Sequence, residues 1–343
     1  MTDERGRFWR RWGEQRGRPG RPPQPAGPDD RTLFIDHYPL IHHRCRDQAD
    51  GVMVIAYELA TGKLAGSRWL AASPRDLRAA IIGRHARAGL SLDRSRYLSA
   101  RHLAVLVEPL APAGHGRFDV RFQILDLRTG RAPRDEEGRA VAALAAEGPV
   151  FLRCAGYALH ILTTGDPTDW PERAGDAWDC LPERVFVEEM LAVGSAPRPL
   201  SGAARPRHRF RTTQVNLSLG ILELHGDALL LEHEDAVGDL VVRCFDSQRV
   251  LRLGPSALRR GVLLGRHDRC DVGGQFITDR TVSRVHALLI EIAGTVWLVD
   301  LASSMGIAVD QHGTWKTVPR VALQPGTQVE LGSEATLVTW RPT

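Results

Sequence analysis

The feature that most constrains the fold is an internal repeat, because five short segments recur in the same order at an offset of about 180 residues. In the N-terminal half they are GVMVIAYE, AAIIGRH, SARHLAVLVE, QILDL and PVFLRCAGYALHIL. In the C-terminal half they correspond to GDLVVRCF, GVLLGRH, SRVHALLIE, WLVDL and QVELGSEATLVTW. Each copy of such a repeat forms one structural unit. We therefore expect two copies of one domain.

The repeated segments have the pattern of β-strands. They are short apolar runs, or they alternate apolar and polar residues, and clusters of Gly, Pro, Asp and Arg separate them. Short strands at close spacing are typical of a β-sandwich. We predict an all-β protein with one sandwich at residues 31–162 and a second at residues 238–343.

The segments outside the two copies differ in composition. Residues 1–30 are rich in Arg, Pro and Gly and bury too little apolar surface to offset the entropy of ordering, so we expect a disordered tail. Residues 163–237 are predicted to be an irregular, partly helical linker. In it we expect a short helix at PERVFVEEMLAV, an Arg-rich segment at 198–211 and a hairpin around residues 225–227.

Charge and composition exclude several classes of protein. The net charge is +4, and the arginine excess lies in residues 1–31 and 198–211, so the two predicted domains are slightly acidic and we expect no nucleic-acid partner. No apolar run approaches the roughly 18 residues that a membrane-spanning helix needs. Five cysteines without a Cys-x-x-Cys pair favour a reducing compartment, so we expect a cytoplasmic protein. Nearly all basic residues are arginine, which we interpret as the codon bias of a bacterial genome.

Four fragments of the C-terminal copy occur in an order that one known family shares. They are Gly265-Arg266, the tetrad SRVH at 283–286, the segment DLASSMG at 300–306, and Leu331-Gly332. Ordered in this way between strands, they resemble the forkhead-associated (FHA) domain. That resemblance implies a β-sandwich whose loops at one end bind phosphothreonine peptides.

The resemblance places the phosphate at Arg266 and Ser283. A phosphate monoester carries nearly two negative charges and three acceptor oxygens, so it favours a guanidinium group and small hydroxyl donors. In the family the residue after the serine, here Arg284, also reaches the peptide. The family histidine, here His286, holds the loops together with the two glycines Gly265 and Gly306. The alternative is that Gly265-Arg266 only forms a turn and Ser283 only caps a loop.

The last loop departs from the family pattern. Family members usually have Ser-Thr-Asn-Gly where this chain has SSMG at 303–306. Ser304 keeps a hydroxyl group, but Met305 lacks the amide that both donates and accepts hydrogen bonds. Losing a desolvated hydrogen bond costs about 1 kcal/mol or more. We therefore expect the peptide to be bound more weakly or held differently.

The N-terminal copy keeps only part of this pattern. It has Gly83-Arg84 and the tetrad SARH at 99–102, but its last loop has lost the Ser-Thr-Asn-Gly segment. Arg101 follows one position after the place of Arg284, and neighbouring strand residues point to opposite faces, so we do not expect it to compensate. We predict a structural or protein-contact role for this copy and a degenerate pocket at Arg84, Ser99 and His102.

Other chemistry has little support. His37, His42, His43 and Cys45 are close in sequence, but adjacent histidines on an extended segment point apart, and we expect no metal site. The chain has no phosphate-binding loop ending in Lys-Ser or Lys-Thr, no Gly-x-Ser-x-Gly and no His-Glu-x-x-His. We predict neither an enzyme nor a cofactor.

The function predicted from the sequence is that of a bacterial signalling adaptor. Its C-terminal domain would bind a threonine-phosphorylated protein or a Ser/Thr kinase. Thr212 and Thr213, which follow the Arg-rich segment, are candidate phosphoacceptors that would dock on Arg266 of the same chain or of a second molecule. The alternatives are that the threonine pair belongs to an ordinary linker, and that the protein is a phospho-independent scaffold, which Met305 and the eroded first copy favour.

Overall fold

The computed structural model describes residues 27–112, 118–189, 212–218, 228–230, 234–333 and 335–343. These residues form two β-sandwich domains that pack against each other. Most of the predicted disordered tail, the Arg-rich segment and the turn of the predicted hairpin lie outside the described residues. None of the described helices is long and apolar enough to span a bilayer.

The first domain contains three short α-helices and thirteen strands among the described residues. The helices are α1 (Asp30–Asp36), α2 (Tyr38–Cys45) and α3 (Ala174–Cys180). The strands are β1 (Gly51–Glu58), β2 (Leu64–Ala71), β3 (Arg78–Gly83), β4 (Leu90–Ser91), β5 (Leu103–Val107), β6 (Ala111–Pro112), β7 (Phe118–Asp119), β8 (Arg121–Asp126), β9 (Ala143–Glu147), β10 (Val150–Cys154), β11 (Tyr157–Thr164), β12 (Glu183–Glu189) and β13 (Thr212–Ser218).

The second domain contains one helix and eleven strands among the described residues. The helix is α4 (Pro255–Arg260). The strands are β14 (Ala228–Leu229), β15 (Gly238–Cys244), β16 (Ser247–Leu253), β17 (Val262–Leu264), β18 (Ala287–Ile292), β19 (Thr295–Asp300), β20 (Ile307–Gln311), β21 (Thr314–Val318), β22 (Arg320–Ala322), β23 (Gln328–Leu331) and β24 (Thr336–Pro342).

The sheet topology shows that the two domains are copies of one unit. In the first domain β1 pairs with β11 and β2, and β5 lies between β3 and β8. In the second domain β15 pairs with β24 and β16 in the same way, and β18 lies between β17 and β19. The full orders are β10-β11-β1-β2 and β12-β13-β9-β8-β5-β3-β4 in the first domain, and β14-β16-β15-β24-β23-β20-β21 and β17-β18-β19-β22 in the second. The predicted repeat and the all-β fold class are confirmed.

The central strands of the facing sheets are apolar on both sides. Along β18, Ala287 and Leu289 point into the core of the second sandwich, whereas Leu288 and Ile290 point out of it. Strand β5 alternates in the same way between the core of the first sandwich and its outer face. Continuous apolar runs are expected for strands that are buried on both faces. The runs LAVLV and ALLIEI therefore reflect a second partner outside each sandwich.

That partner is the other domain. The outward-facing residues of both copies form one shared apolar cluster that includes Leu106 and Leu125 of the first domain and Leu288, Ile290 and Trp297 of the second. Polar contacts border the cluster. Arg320 makes a bidentate contact with Asp76, with Nε to Oδ1 at 2.8 Å, and Arg128 pairs with Asp271. The two sandwiches are therefore joined by a shared apolar core with ion pairs around it.

The segment of His37, His42, His43 and Cys45 is helical and not extended, which corrects our expectation. Asp29 caps helix α1 by accepting the Thr32 N–H at 2.7 Å, and α1 and α2 bury Phe34, Ile41 and Cys45 against the outer face of the first domain. The apolar residues recur at helical spacing, so both helices cover that face. No group of three or more His, Cys, Asp or Glu residues in the described part of the chain could hold a metal ion.

Two stretches that we assigned to the linker are strands of the first domain. The predicted helix at PERVFVEEMLAV is instead strand β12, and Thr212 and Thr213 begin strand β13. The two strands run parallel, and β13 pairs with β9, which would otherwise be the edge strand of this sheet. The β-branched and aromatic run RVFV favours an extended chain, and an open sheet edge offers unpaired backbone groups to such a segment. The threonine pair therefore lies in a strand and not in a flexible connector.

Candidate phosphate-binding site

The loop after β17 is held against the SRVH tetrad by backbone contacts. The Arg266 N–H donates to the Ser283 carbonyl at 3.2 Å, and the His267 N–H donates to the Arg284 carbonyl at 2.8 Å. A Cβ atom on Gly265 would lie only 2.5 Å from the Arg284 carbonyl oxygen. Glycine is required here because the two loops approach so closely. The sequence thus brings residues 265–267 and 283–286 to the same end of the sandwich.

Arg266 has a fixed inner end and a free outer end. Its Nε–H donates to the Val282 carbonyl at 2.6 Å, which orients the half-buried guanidinium. A guanidinium has five N–H donors, so four remain on the terminal nitrogens. No ion pair within the described ranges includes Arg266. Its charge is therefore available to an external anion.

Serine side chains join the tetrad to the loop at 300–306. The buried Ser283 hydroxyl accepts the Ser304 N–H at 3.0 Å, and the two Oγ atoms are 3.4 Å apart. Ser303 is anchored in turn, because its N–H donates to Asp300 and its Oγ accepts the Gly306 N–H at 2.8 Å. Ser304 itself is exposed. Two hydroxyl groups are thereby held next to each other at the mouth of the site.

His286 supports the site from below. It is fully buried, and its Nδ1 accepts the Ser283 N–H at 2.9 Å, so its Nε2 carries the proton and donates to the Gly306 carbonyl at 2.8 Å. Burial lowers the pKa of His286 below its usual value, which keeps the ring neutral. Both ring nitrogens are occupied in holding the two loops. The geometry gives His286 a supporting role and no free nitrogen for acid-base chemistry.

Arg284 and Met305 lie at the rim, and both are exposed. Met305 is 48% exposed although its side chain is apolar. Beside it a shallow cavity of about 370 Å³ is lined by residues of the 300–306 loop, by Thr317 to Pro319 and by Arg87 of the first domain. The predicted residues of the C-terminal site therefore lie together at one end of the second domain.

This arrangement agrees with one known family. Residues 262–332 match the family model of the FHA domain. This segment is an FHA domain. No protein of curated function matches the chain.

Several solved structures resemble parts of the chain. Mycobacterium tuberculosis Rv1747 FHA-1 is 25% identical, with a TM-score of 0.25 over 31% of this chain and 98% of that one. The Slr1951 protein from Synechocystis sp. is 22% identical, with a TM-score of 0.25 over 31% of this chain and 98% of that one. Mycobacterium tuberculosis EmbR, in complex with a low affinity phosphopeptide, is 21% identical, with a TM-score of 0.24 over 30% of this chain and 24% of that one.

The first domain repeats the scaffold of the FHA pocket. The Arg84 Nε–H donates to the Leu98 carbonyl, as Arg266 does to Val282. The Ser99 N–H donates to Nδ1 of His102 at 3.0 Å, and Nε2 of His102 contacts the Arg131 carbonyl at 3.0 Å. Arg84, Ser99 and His102 are thus brought together as Arg266, Ser283 and His286 are.

The two pockets differ in the last loop. In the first domain, the loop carbonyl that contacts the histidine belongs to Arg131. In the second domain, it belongs to Gly306, which follows Ser304 and Met305. The Arg131 guanidinium stacks on the exposed Tyr97 ring at 4.6 Å from its centroid. The first-domain loop keeps the hydroxyl of Thr129, which donates to Asp126 Oδ1 at 2.7 Å and lies 3.2 Å from Nε2 of His102, but it has Gly130 where the second domain has Ser304. That the first pocket is degenerate stays a prediction.

Sequence reasoning missed the role of Arg101. We expected this residue not to replace Arg284, and its side chain does point away from the first-domain pocket. It crosses the domain interface instead, where Nε donates to the Leu301 carbonyl at 2.5 Å and Nη2 donates to the Ala302 carbonyl at 2.6 Å. Arg101 lies in a bend before β5 and not in a strand, and its acceptors belong to the other domain, so this contact cannot be identified from local sequence.

Proposed function

We propose that the protein is a cytoplasmic bacterial signalling adaptor whose FHA domain binds threonine-phosphorylated segments of a partner protein or of a Ser/Thr kinase. The phosphate would lie between the terminal nitrogens of Arg266 and the hydroxyl groups of Ser283 and Ser304. Arg284 at the rim would contact the peptide beside the phosphate. Charge-assisted hydrogen bonds from a guanidinium are among the strongest that a phosphate can accept.

One observation carries the proposal. Arg266 is tethered through its Nε to Val282, beside a serine whose hydroxyl is already joined to the next loop. A positive group and hydroxyl donors are thus fixed in place before a ligand arrives. Preorganised donors bind with a smaller entropic cost than donors that must first be ordered.

The test is a binding measurement with a degenerate phosphothreonine peptide library and the full chain. We expect the wild-type protein to select a subset of peptides, with discrimination against phosphoserine, and Arg266→Ala to abolish binding. Arg84→Ala is the matched control, because Arg84 makes the same Nε contact in the first copy. Equal binding by wild type and Arg266→Ala would refute the proposal.

A second candidate function is that of a phospho-independent scaffold. The observation that favours it is the exposed Met305, which presents an apolar side chain where the family has asparagine. In that case both domains would contact neighbours in a larger assembly. The library measurement separates the two functions, because a scaffold would ignore the phosphate in both wild type and Arg266→Ala.

Self-association is a further source of ligand. Phosphorylated Thr212 or Thr213 would dock on Arg266 of the same chain or of a second molecule, where a high effective concentration offsets weak affinity. Because Thr212 and Thr213 pair with Glu183 and Arg184 of β12, the threonines must leave the sheet first. Co-expression with a threonine kinase and mass spectrometry test this. An unmodified pair, or modification without a change in compactness or oligomeric state, would refute it.

A further inference from the structure

The loop that carries Ser304 depends on contacts from the first domain. Arg101 is only 7% exposed, and its guanidinium makes three hydrogen bonds, all to the carbonyl groups of Leu301 and Ala302. A buried charge is costly unless it is hydrogen-bonded. The Arg101 side chain is therefore confined to the geometry that these two carbonyls offer.

The backbone at this point needs support. Ala302 has a φ of 55°, in the left-handed region that residues other than glycine rarely adopt. Such a conformation persists when neighbouring contacts favour it over the alternatives. Arg101 binds the Ala302 carbonyl through both Nη2 and Nε, so it favours the orientation of the peptide group that leads into Ser303.

A second guanidinium of the first domain contacts the next two residues. The Nη1 group of Arg87 donates to the Ser303 carbonyl at 3.2 Å and to the Ser304 carbonyl. Arg87 is exposed and lines the cavity beside Met305. Four successive carbonyl groups of the loop, from Leu301 to Ser304, thus accept hydrogen bonds from the first domain.

The contact is reciprocal. Nη2 of Arg269, in the second domain, donates to the Arg101 carbonyl at 3.2 Å. On the other side of the loop, the Ser304 N–H donates to Ser283 Oγ. A continuous series of hydrogen bonds therefore leads from the backbone and side chain of Arg101 to the serine predicted to contact the phosphate.

We propose that Arg101 and Arg87 are positioning residues, through which the first domain holds the phosphate-binding loop of the FHA domain in its binding conformation. This inference rests on the proposed function. It gives the first copy a specific role, because the arginine of its tetrad, which stands where the second copy has Val285, supports the pocket of the neighbouring domain.

The experiment compares Arg101→Gln with Arg101→Lys in the full chain. The first measurement is backbone amide hydrogen exchange in the ligand-free protein. The second is the affinity for phosphothreonine peptides that the wild-type protein selects from the library. We expect Arg101→Gln to accelerate amide exchange at Ser303 and Ser304 at least tenfold and to lower the peptide affinity at least tenfold. Arg101→Lys keeps the charge and a hydrogen-bond donor, so its exchange rates and its peptide affinity should lie between those of Arg101→Gln and the wild type. Arg94→Gln is the control, because Arg94 is exposed and pairs with Glu58 of its own domain.

Exchange of the β18 amides reports whether the fold is intact, and it should stay at the wild-type rate. If Arg101→Gln does not fold, Arg87→Gln replaces it, since Arg87 is exposed, and at least threefold changes are expected in both measurements. Wild-type exchange at Ser303 and Ser304, or faster exchange with unchanged affinity, would overturn the inference while leaving the proposed function intact. A wild-type protein that binds no phosphothreonine peptide would overturn the proposed function, and the inference with it.

Discussion

Replacing Leu288 by alanine tests whether the two domains share a core. Leu288 is 1% exposed, and it faces the first domain and not its own sandwich. The substitution removes the equivalent of three methylene groups, or about 2.4 kcal/mol at ~0.8 kcal/mol each. The cavity left behind raises the typical total to about 2–5 kcal/mol. We expect urea denaturation of the full chain to show a loss of free energy of unfolding in that range.

The adjacent Leu289 provides the calibration. It has 0% exposure and faces the core of its own sandwich, so Leu289→Ala should also cost about 2–5 kcal/mol. If the domains did not pack together, Leu288 would be exposed, and surface substitutions usually change stability by less than about 0.5 kcal/mol. A normal loss for Leu289→Ala with a loss below that limit for Leu288→Ala would refute the shared core.

Two further predictions concern pH and affinity. Burial lowers the pKa of His102 to about 4, whereas an unfolded histidine titrates near 6.5. As pH falls from about 6.5 to about 4, the unfolded chain therefore gains a proton that the folded chain does not. The free energy of unfolding should decrease over this range, by up to roughly 3 kcal/mol. His102→Gln should show a shallower loss in denaturation curves over that window, and an unchanged slope would contradict this. Met305→Asn supplies the missing amide and should increase the affinity for phosphothreonine peptides about tenfold, which is equivalent to about 1.4 kcal/mol. In the same titration, Met305→Leu should leave the affinity unchanged. Equal affinities for the two variants would show that the amide is not used.

The repeat and the site could be predicted because both depend on local pattern. Short apolar runs between turn residues predict strands, and the order of Gly265-Arg266, the SRVH tetrad and the last loop predicts that they meet at one end of a sandwich. The same order predicted the positions of Arg84, Ser99 and His102. These inferences need no knowledge of how the domains are arranged.

The interface could be predicted only in part. Strands β5 and β18 are apolar on both faces, which indicates a second layer, but periodicity does not say which surface supplies it. The helices of residues 30–45 were missed although Asp29 and the spacing of Phe34 and Ile41 predict them. Strand β12 was mistaken for a helix because the apolar residues of RVFVEEM fit both strand and helix spacing. The segment is extended because it pairs with β13, a contact that local sequence does not show.

The most direct test of the central claim is to map a bound phosphothreonine peptide onto the full chain by amide chemical shifts. If Arg266, Ser283 and Ser304 form the phosphate site, their resonances should move most, and in Arg266→Ala they should not move at the same peptide concentration. Resonances of Arg84 and Ser99 in the first copy should stay in place. Shifts confined to the first copy, or none at residues 266, 283 and 304, would contradict the account.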